Sequence, residues 1–276
     1  MKVFLATYTD FVKFDRKPNE DFYLVSKKYP IFIVVDGVTQ SHFEYNGYAF
    51  PAGAKAAAEI FCYSALEFLE KNLKTTKDKK ALIKMAFNFA NKRIWELNKN
   101  EGIPERLDYY VYDYFDCVGV AGLIFENKLF YCYVGDCGLT ILDKNNNLKF
   151  QTKDEVIKAA KYLEKISKKN NWNEKQKEIF WRKELRNHPS GKYYGTFSGQ
   201  EGVKKYYAMG NQLIRKGDLI VFYTDGFVEY LKFPEFIKIL RRQDKKALDN
   251  FTNQKAKENY QKFGTDRTLV AITPNS

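Results

Sequence analysis

The sequence predicts an α+β fold, with strands in antiparallel sheets and helices laid over them. Three observations carry this. Short apolar runs of strand length recur along the chain, at 31–35, 118–125, 129–134, 219–224 and 268–272. Apolar residues spaced three and four apart fill long stretches between them. No internal repeat or low-complexity linker divides the 276 residues, so they are expected to form a single domain over 1–276.

Taken in order, residues 3–8 and 22–26 read as short strands, joined by a polar segment that ends at Pro18-Asn19. The run Ile31-Phe32-Ile33-Val34-Val35 is continuously apolar, as a strand buried on both faces requires. Residues 36–50 read as an ordered loop, and Pro51 as the start of a helix carrying Ala54, Ala57, Ala58, Phe61, Ala65, Leu66 and Leu69 on one side. A second helix is expected over 79–98, with Leu82, Met85, Ala86, Phe89, Ile94 and Leu97 as its apolar side. Three strands follow from Cys117, separated by short turns at 126–128 and 135–136 that favour antiparallel pairing. Residues 154–187 read as amphipathic helix, with Val156, Ala159, Ala160, Leu163 and Ile166 as its stripe. This helical, basic stretch gives the segment at about 151–192 the character of an insertion. The glycines of 195–202 suggest a loop rather than a phosphate cradle, since no Lys-Ser/Thr follows them, and a strand is expected near 203–209. A strand at 219–224, basic helical text at 234–262 and a last strand at 268–272 complete the chain.

Composition narrows the function. Apolar residues make up 45% and aromatic residues 17%, enough for a large core. No apolar run approaches the length that spans a bilayer, and the N-terminal text lacks a secretory pattern. Cys62, Cys117, Cys132 and Cys137 show no Cys-x-x-Cys spacing, so a reduced, cytoplasmic protein is expected, with no membrane partner. His42 and His188 are the only histidines, which argues against a histidine-rich zinc site and leaves ionic chemistry to carboxylates, Lys, Arg and Tyr. Of the net charge of +12, residues 151–190 contribute +5 (11 Lys/Arg, 6 Asp/Glu) and residues 232–262 another +5 (9 against 4). Acids alternate with bases in both windows, the pattern of solvated helix faces rather than of a nucleic-acid site.

The informative residues are aspartates set against apolar strands. Val34-Val35 runs into Asp36-Gly37, Tyr133-Val134 into Gly135-Asp136, and Phe222-Tyr223-Thr224 into Asp225-Gly226, while Asp266 immediately precedes the last strand. A single Asp-Gly usually marks a turn. A carboxylate at the mouth of a buried strand is costly unless paired, hydrogen-bonded or bound to metal, and four such cases point to metal. Oxygen-only ligands suit Mg²⁺ or Mn²⁺, and two such ions sharing a carboxylate suit in-line attack of a metal-bound water on phosphorus. Upstream, Arg16 lies just before Glu20 and Asp21; taken alone this reads as an exposed loop with an incidental ion pair, but an arginine there can also grip phosphate through paired hydrogen bonds.

In order, Arg-x-x-Asn-Glu-Asp at 16–21, Val-x-Asp-Gly at 34–37, Val-Gly-Asp at 134–136, Thr-Asp-Gly at 224–226 and an aspartate before the final strand form a set spanning the chain from Arg16 to Ile272. This set resembles that of the metal-dependent protein serine/threonine phosphatases (PPM, or protein phosphatase 2C, type). The resemblance implies a four-layer αββα sandwich of two antiparallel sheets flanked by helices, with metals in the cleft between the sheets. It implies that Asp36 bridges two Mn²⁺ or Mg²⁺ ions, with Gly37 adding its carbonyl oxygen. Asp225 and Asp266 would hold the first ion, Glu20 and Asp21 the second, directly or through water. Asp136 would stand where some members bind a third ion, and Arg16 would grip the phosphate of a phosphorylated protein substrate. Catalysis would then rest on Arg16, Asp36 and Asp225. A phosphatase-like domain that binds or regulates without catalysis is the alternative.

The chain also departs from the pattern. Val38-Thr39-Gln40 follows Asp36-Gly37 where many members carry a histidine or further glycines, and Asp116-Cys117-Val118 replaces the usual Gly-Ser/Thr-Thr. Arg267 follows Asp266 where an asparagine is usual, so a cation is expected either to dampen metal binding or to point into solvent.

Overall fold

The computed structural model describes residues 1–10, 18–39 and 53–274. Arg16, residues 40–50 of the expected loop, His42 among them, and the helix start expected at Pro51 lie outside these residues.

Among the described residues ten strands form two antiparallel five-stranded sheets. The first has the order β2 (Phe22–Val25), β3 (Ile31–Gly37), β4 (Cys117–Phe125), β5 (Lys128–Val134), β8 (Ala208–Leu213). The second runs β1 (Lys2–Tyr8), β10 (Arg267–Thr273), β9 (Leu219–Tyr223), β6 (Gly138–Leu142), β7 (Leu148–Gln151). Helices α1 (Gly53–Asn72) and α2 (Lys79–Asn100) cover the first sheet, with a short α3 (Ile103–Arg106) after them. Helices α4 (Ile157–Asn170) and α5 (Glu174–Phe180) follow β7, and α6 (Pro234–Arg242), α7 (Lys245–Glu258) and α8 (Tyr260–Phe263) lie between β9 and β10. Residues from α6, α7 and α8 join the core on the outer face of the second sheet. The architecture is therefore αββα, as expected.

The period of two in a strand explains the layers. Ile31, Ile33 and Val35 pack under α1 and α2, while Phe32 and Val34 face the other sheet. In β9, Leu219, Val221 and Tyr223 meet the outer helices, while Ile220 and Phe222 face inward. Phe32 and Phe222 stack across the gap with centroids 5.8 Å apart. Runs buried on both faces thus read as continuous apolar text.

Several local expectations change. The turn at Gly135-Asp136 does not close a hairpin: β5 and β6 belong to different sheets, and the chain crosses between layers there with Gly135 at φ +83°. The buried face of α2 is Leu82, Ile83, Ala86, Phe87, Ala90 and Ile94, whereas Met85 is exposed. The helix expected over 154–187 breaks after Asn170, and Asn173 starts α5 with a capping box to Gln176. Ala160 is exposed rather than part of the stripe. Residues Glu201–Tyr206 form a 3₁₀ helix, so the strand expected near 203 begins at Ala208. All four cysteines are free and buried. Among the described residues no helix is long and apolar enough to cross a membrane. Lys168–Glu164, Lys177–Glu174 and Lys245–Asp249 pair on the basic helix faces. That is the behaviour of solvated surface, and such pairs add little stability.

Candidate active site

Strand pairing alone gathers the acids. In the first sheet Phe22 pairs with Val35, Gly37 with Cys117 and Gly119 with Val134. The residues before β2, at the end of β3 and after β5 therefore share one end of that sheet: Glu20 and Asp21, Asp36, and Asp136. In the second sheet Tyr8 pairs with Arg267, Leu269 with Tyr223 and Tyr223 with Gly138. That brings Asp10, Asp266, Asp225 and again Asp136 to one end. The crossing at Gly135-Asp136 ties the two ends together. Asp36 continues the alternation of Phe32 and Val34, which aims its side chain between the sheets.

The electrostatics follow from this placement. Burial raises the Asp36 carboxyl well above its ordinary pKa, and Asp21, Asp225, Asp136 and Glu20 raise it further. Asp21 is 3% exposed. Its pKa is pushed up to about 8 by burial, against the Thr224 hydrogen bond and with help from Asp266 and Asp225. Asp136 rises to about 7 through burial, Asp225 and Asp154. Asp225 keeps solvent contact at the cleft mouth, yet the protein packed around it still raises its carboxyl; a hydrogen bond with Asp36 opposes the rise. A cleft of about 220 Å³ reaches this point, lined by Asp136, Gln151, Lys153, Asp154, Tyr223 and Asp225 among others.

The surrounding bonds hold the acids in place. Asp266 accepts from the backbone N–H of Asp10 at 2.6 Å and of Glu20 at 3.1 Å, linking the end of β1 to the approach to β2. Thr224 Oγ1 donates to Asp21 Oδ2 at 2.8 Å and accepts from the Thr268 N–H at 2.9 Å. Thr39 donates its hydroxyl to Glu20 Oε2. Gly37 has no room for a side chain: a Cβ would lie 2.6 Å from the Ala54 carbonyl oxygen and 2.9 Å from that of Glu20.

The donor set fits a hard divalent cation. Asp21 Oδ1 is buried with no hydrogen-bond partner among the described residues. Such an oxygen, inside a group of mutually repelling acids, is what a cation would satisfy. Among the described residues no three acid, histidine or cysteine side chains lie together closely enough to hold a metal ion by themselves. Mg²⁺-type sites that retain several waters need no such trio.

Arg267 does not point into solvent; it turns toward the outer helices while remaining within the field of Asp266 and Asp10. Its parity in β10 is that of Leu269 and Ala271, toward the outer helices. It is 1% exposed. The guanidinium lies 4.9 Å from the Tyr8 ring centre and 5.9 Å from that of Tyr230, and Nη1 donates to the Thr265 carbonyl at 2.8 Å. Burial lowers its pKa. His188 bonds Ser190 Oγ at 2.8 Å within its own loop. Sequence reasoning missed Asp10, Thr39 and Asp154; each is a lone polar residue in loop text, recognisable only once pairing places it.

No protein-family model and no curated protein matches the sequence. Solved structures do match over the whole chain. The serine/threonine phosphatase PstP/Ppp of Mycobacterium tuberculosis is 17% identical at a TM-score of 0.62, covering 100% of this chain and 99% of that one. The chain has the fold of the metal-dependent serine/threonine phosphatases. A PstP catalytic domain in complex with two manganese ions is 16% identical at a TM-score of 0.61, covering 100% and 98% of the two chains. The PPM phosphatase MsPP of Mycobacterium smegmatis, in complex with cacodylate, is 17% identical at a TM-score of 0.55, covering 100% and 99%. The phosphatase fold thus accounts for both sheets and the helices on either side of them.

Proposed function

We propose that the chain is a divergent metal-dependent protein phosphatase that hydrolyses phosphoserine and phosphothreonine in proteins. The observation that carries this is that strand pairing brings Asp21, Asp36, Asp136, Asp225 and Asp266 to one end of the two sheets, with Asp136 and Asp225 lining a cleft there and the carboxyls of Asp21, Asp36, Asp136 and Asp225 raised by burial and by neighbouring acids. Burying uncompensated acids costs stability, and a fold that keeps them gains if they serve as ligands.

In this reading Mn²⁺ or Mg²⁺ would be held by Asp36 and the Gly37 carbonyl oxygen with Asp225 and Asp266, and by Glu20 and Asp21 directly or through water, with Asp136 available to a further ion. Divalent cations held there would supply an activated water for attack on phosphorus and would offset the charge of the phosphoryl group. The chain's own residues supply the geometry. Thr224 orients Asp21, the backbone of Asp10 and Glu20 fixes Asp266, and Arg16 grips the substrate phosphate through paired hydrogen bonds. The whole chain acts as one phosphatase domain with 151–192 as an insertion, working in the cytoplasm without nucleic acid or membrane.

Release of phosphate from a phosphothreonine peptide, measured with Mn²⁺ and with chelator, tests the proposal. Turnover with Mn²⁺ and its loss with chelator are expected. Undiminished turnover after rigorous metal removal would contradict it.

A further inference from the structure

The insertion carries a second buried charge group. After α5 the chain makes one π-helical turn, Trp181–Leu185, in which the Arg186 N–H donates to the Trp181 carbonyl at 3.1 Å. The turn presents Arg182 and Arg186 together to the stretch leading into β4. Arg186 grips Asp113 with both Nη atoms, at 2.6 and 2.9 Å, and reaches Asp116 at 3.1 Å. Arg182 Nη1 donates to Asp113 at 3.0 Å, its Nε pairs with Glu178 at 3.2 Å, and Thr196 donates to Asp116 at 2.7 Å. Both arginines and both aspartates are buried. Apolar residues of similar volume often stabilise a core as well as such a group does, so its use is better sought in the geometry it fixes.

That geometry leads to the acid cluster. The Asp116 carbonyl receives the Val38 N–H at 3.0 Å, and Arg182 Nη2 donates to the Thr39 carbonyl at 3.4 Å. Thr39 in turn gives its hydroxyl to Glu20. Glu20 also accepts the Gly37 N–H at its backbone oxygen, at 3.3 Å. An unbroken line of polar contacts therefore runs from the insertion to Glu20, a carboxylate of the acid cluster beside Asp36.

We infer that Arg182, anchored on Asp113, is a positioning residue for the candidate metal centre: it holds the Thr39 backbone so that the Thr39 hydroxyl orients Glu20. The inference rests on the metal-dependent reading above. Partners that orient a metal-binding carboxylate are worth roughly ten- to a hundredfold in metal affinity. Arg182 acts one contact further out, so its removal is expected at the lower end.

Mn²⁺ titration by calorimetry, on the full chain, distinguishes the outcomes. Arg182→Met and Thr39→Val should each weaken Mn²⁺ binding roughly tenfold in protein that is still folded in chelator. Because both lie on one line of contacts, the double variant should bind no worse than the weaker single variant. If Arg182→Met fails to fold, Arg182→Lys takes its place: one ammonium cannot span Glu178, Asp113 and Thr39 together, so the same loss is expected. Wild-type Mn²⁺ affinity in the Arg182 variant, or losses that multiply in the double variant, would overturn the inference alone. A wild-type chain that binds no Mn²⁺ would overturn the phosphatase reading and this inference with it.

Discussion

Replacing Asp21 by asparagine separates the cost of the acid cluster from its use. Asp21 is buried, its carboxyl pKa is about 8 against an ordinary 3.8, and one of its oxygens lacks a hydrogen-bond partner among the described residues. Between these two values the folded chain keeps a proton that the unfolded chain releases, so metal-free stability falls as pH rises from about 4 to about 8. At pH 7 a gap of this size costs about 2–4 kcal/mol. Asparagine does not titrate, and its amide oxygen can still accept from Thr224 Oγ1. Asp21→Asn should therefore raise the metal-free melting temperature at pH 8 by about 5–10 °C, at roughly 2–4 °C per kcal/mol for a chain of this size. The gain should shrink by pH 5, where the folded carboxyl stays protonated and the pH lies only a little above the unfolded value of 3.8. Mn²⁺ should stabilise the wild type more than the variant. Thermal melts in chelator across pH 5 to 8 measure this. A variant that melts at or below the wild type at pH 8 would refute the claim that Asp21 is held against its own electrostatics.

Two further outcomes follow from the same geometry. Arg16→Ala should lower catalytic efficiency roughly ten- to a hundredfold, through lost charge-assisted contacts to phosphate. Its loss of Mn²⁺ affinity should be smaller than that of Asp225→Ala; an equal loss in parallel kinetics and calorimetry would make Arg16 an organiser of the acids instead. Phe222→Ala should cost about 3–5 kcal/mol in urea unfolding, because Phe222 is fully buried and stacks on Phe32 between the sheets. A cost under about 1 kcal/mol would mean that the gap between the sheets closes over the cavity.

What could be read from the sequence was local and periodic. Ile31–Val35 and Leu219–Tyr223 are apolar on every residue because both faces are covered, and such runs identify themselves. Aspartates at their ends were visible for the same reason. Gly135-Asp136 misled because a two-residue turn looks the same whether the next strand pairs beside the last or crosses to another sheet. The face of α2 was rightly anchored on Leu82, Ala86 and Ile94 but extended to the wrong side: Met85 and Phe89 flank Leu82, whereas the buried face continues through Ile83 and Phe87 on a helix with apolar residues around much of its girth. The break after Asn170 did have a signal, Asn173 with Gln176 three residues later, hidden inside otherwise continuous helical text. The contacts of Asp113 with Arg182 and Arg186 had none, since partners 69 and 73 residues apart leave no local pattern.

The central claim is that Asp36 joins two divalent cations that carry phosphate hydrolysis. Mn²⁺ stoichiometry by calorimetry, taken together with turnover of a phosphothreonine peptide for the wild type and Asp36→Asn, tests it most directly. Two Mn²⁺ bound and turned-over peptide in the wild type, with both lost in a folded Asp36→Asn, is the predicted result. A folded Asp36→Asn that keeps both Mn²⁺ ions and near-wild-type turnover would contradict it.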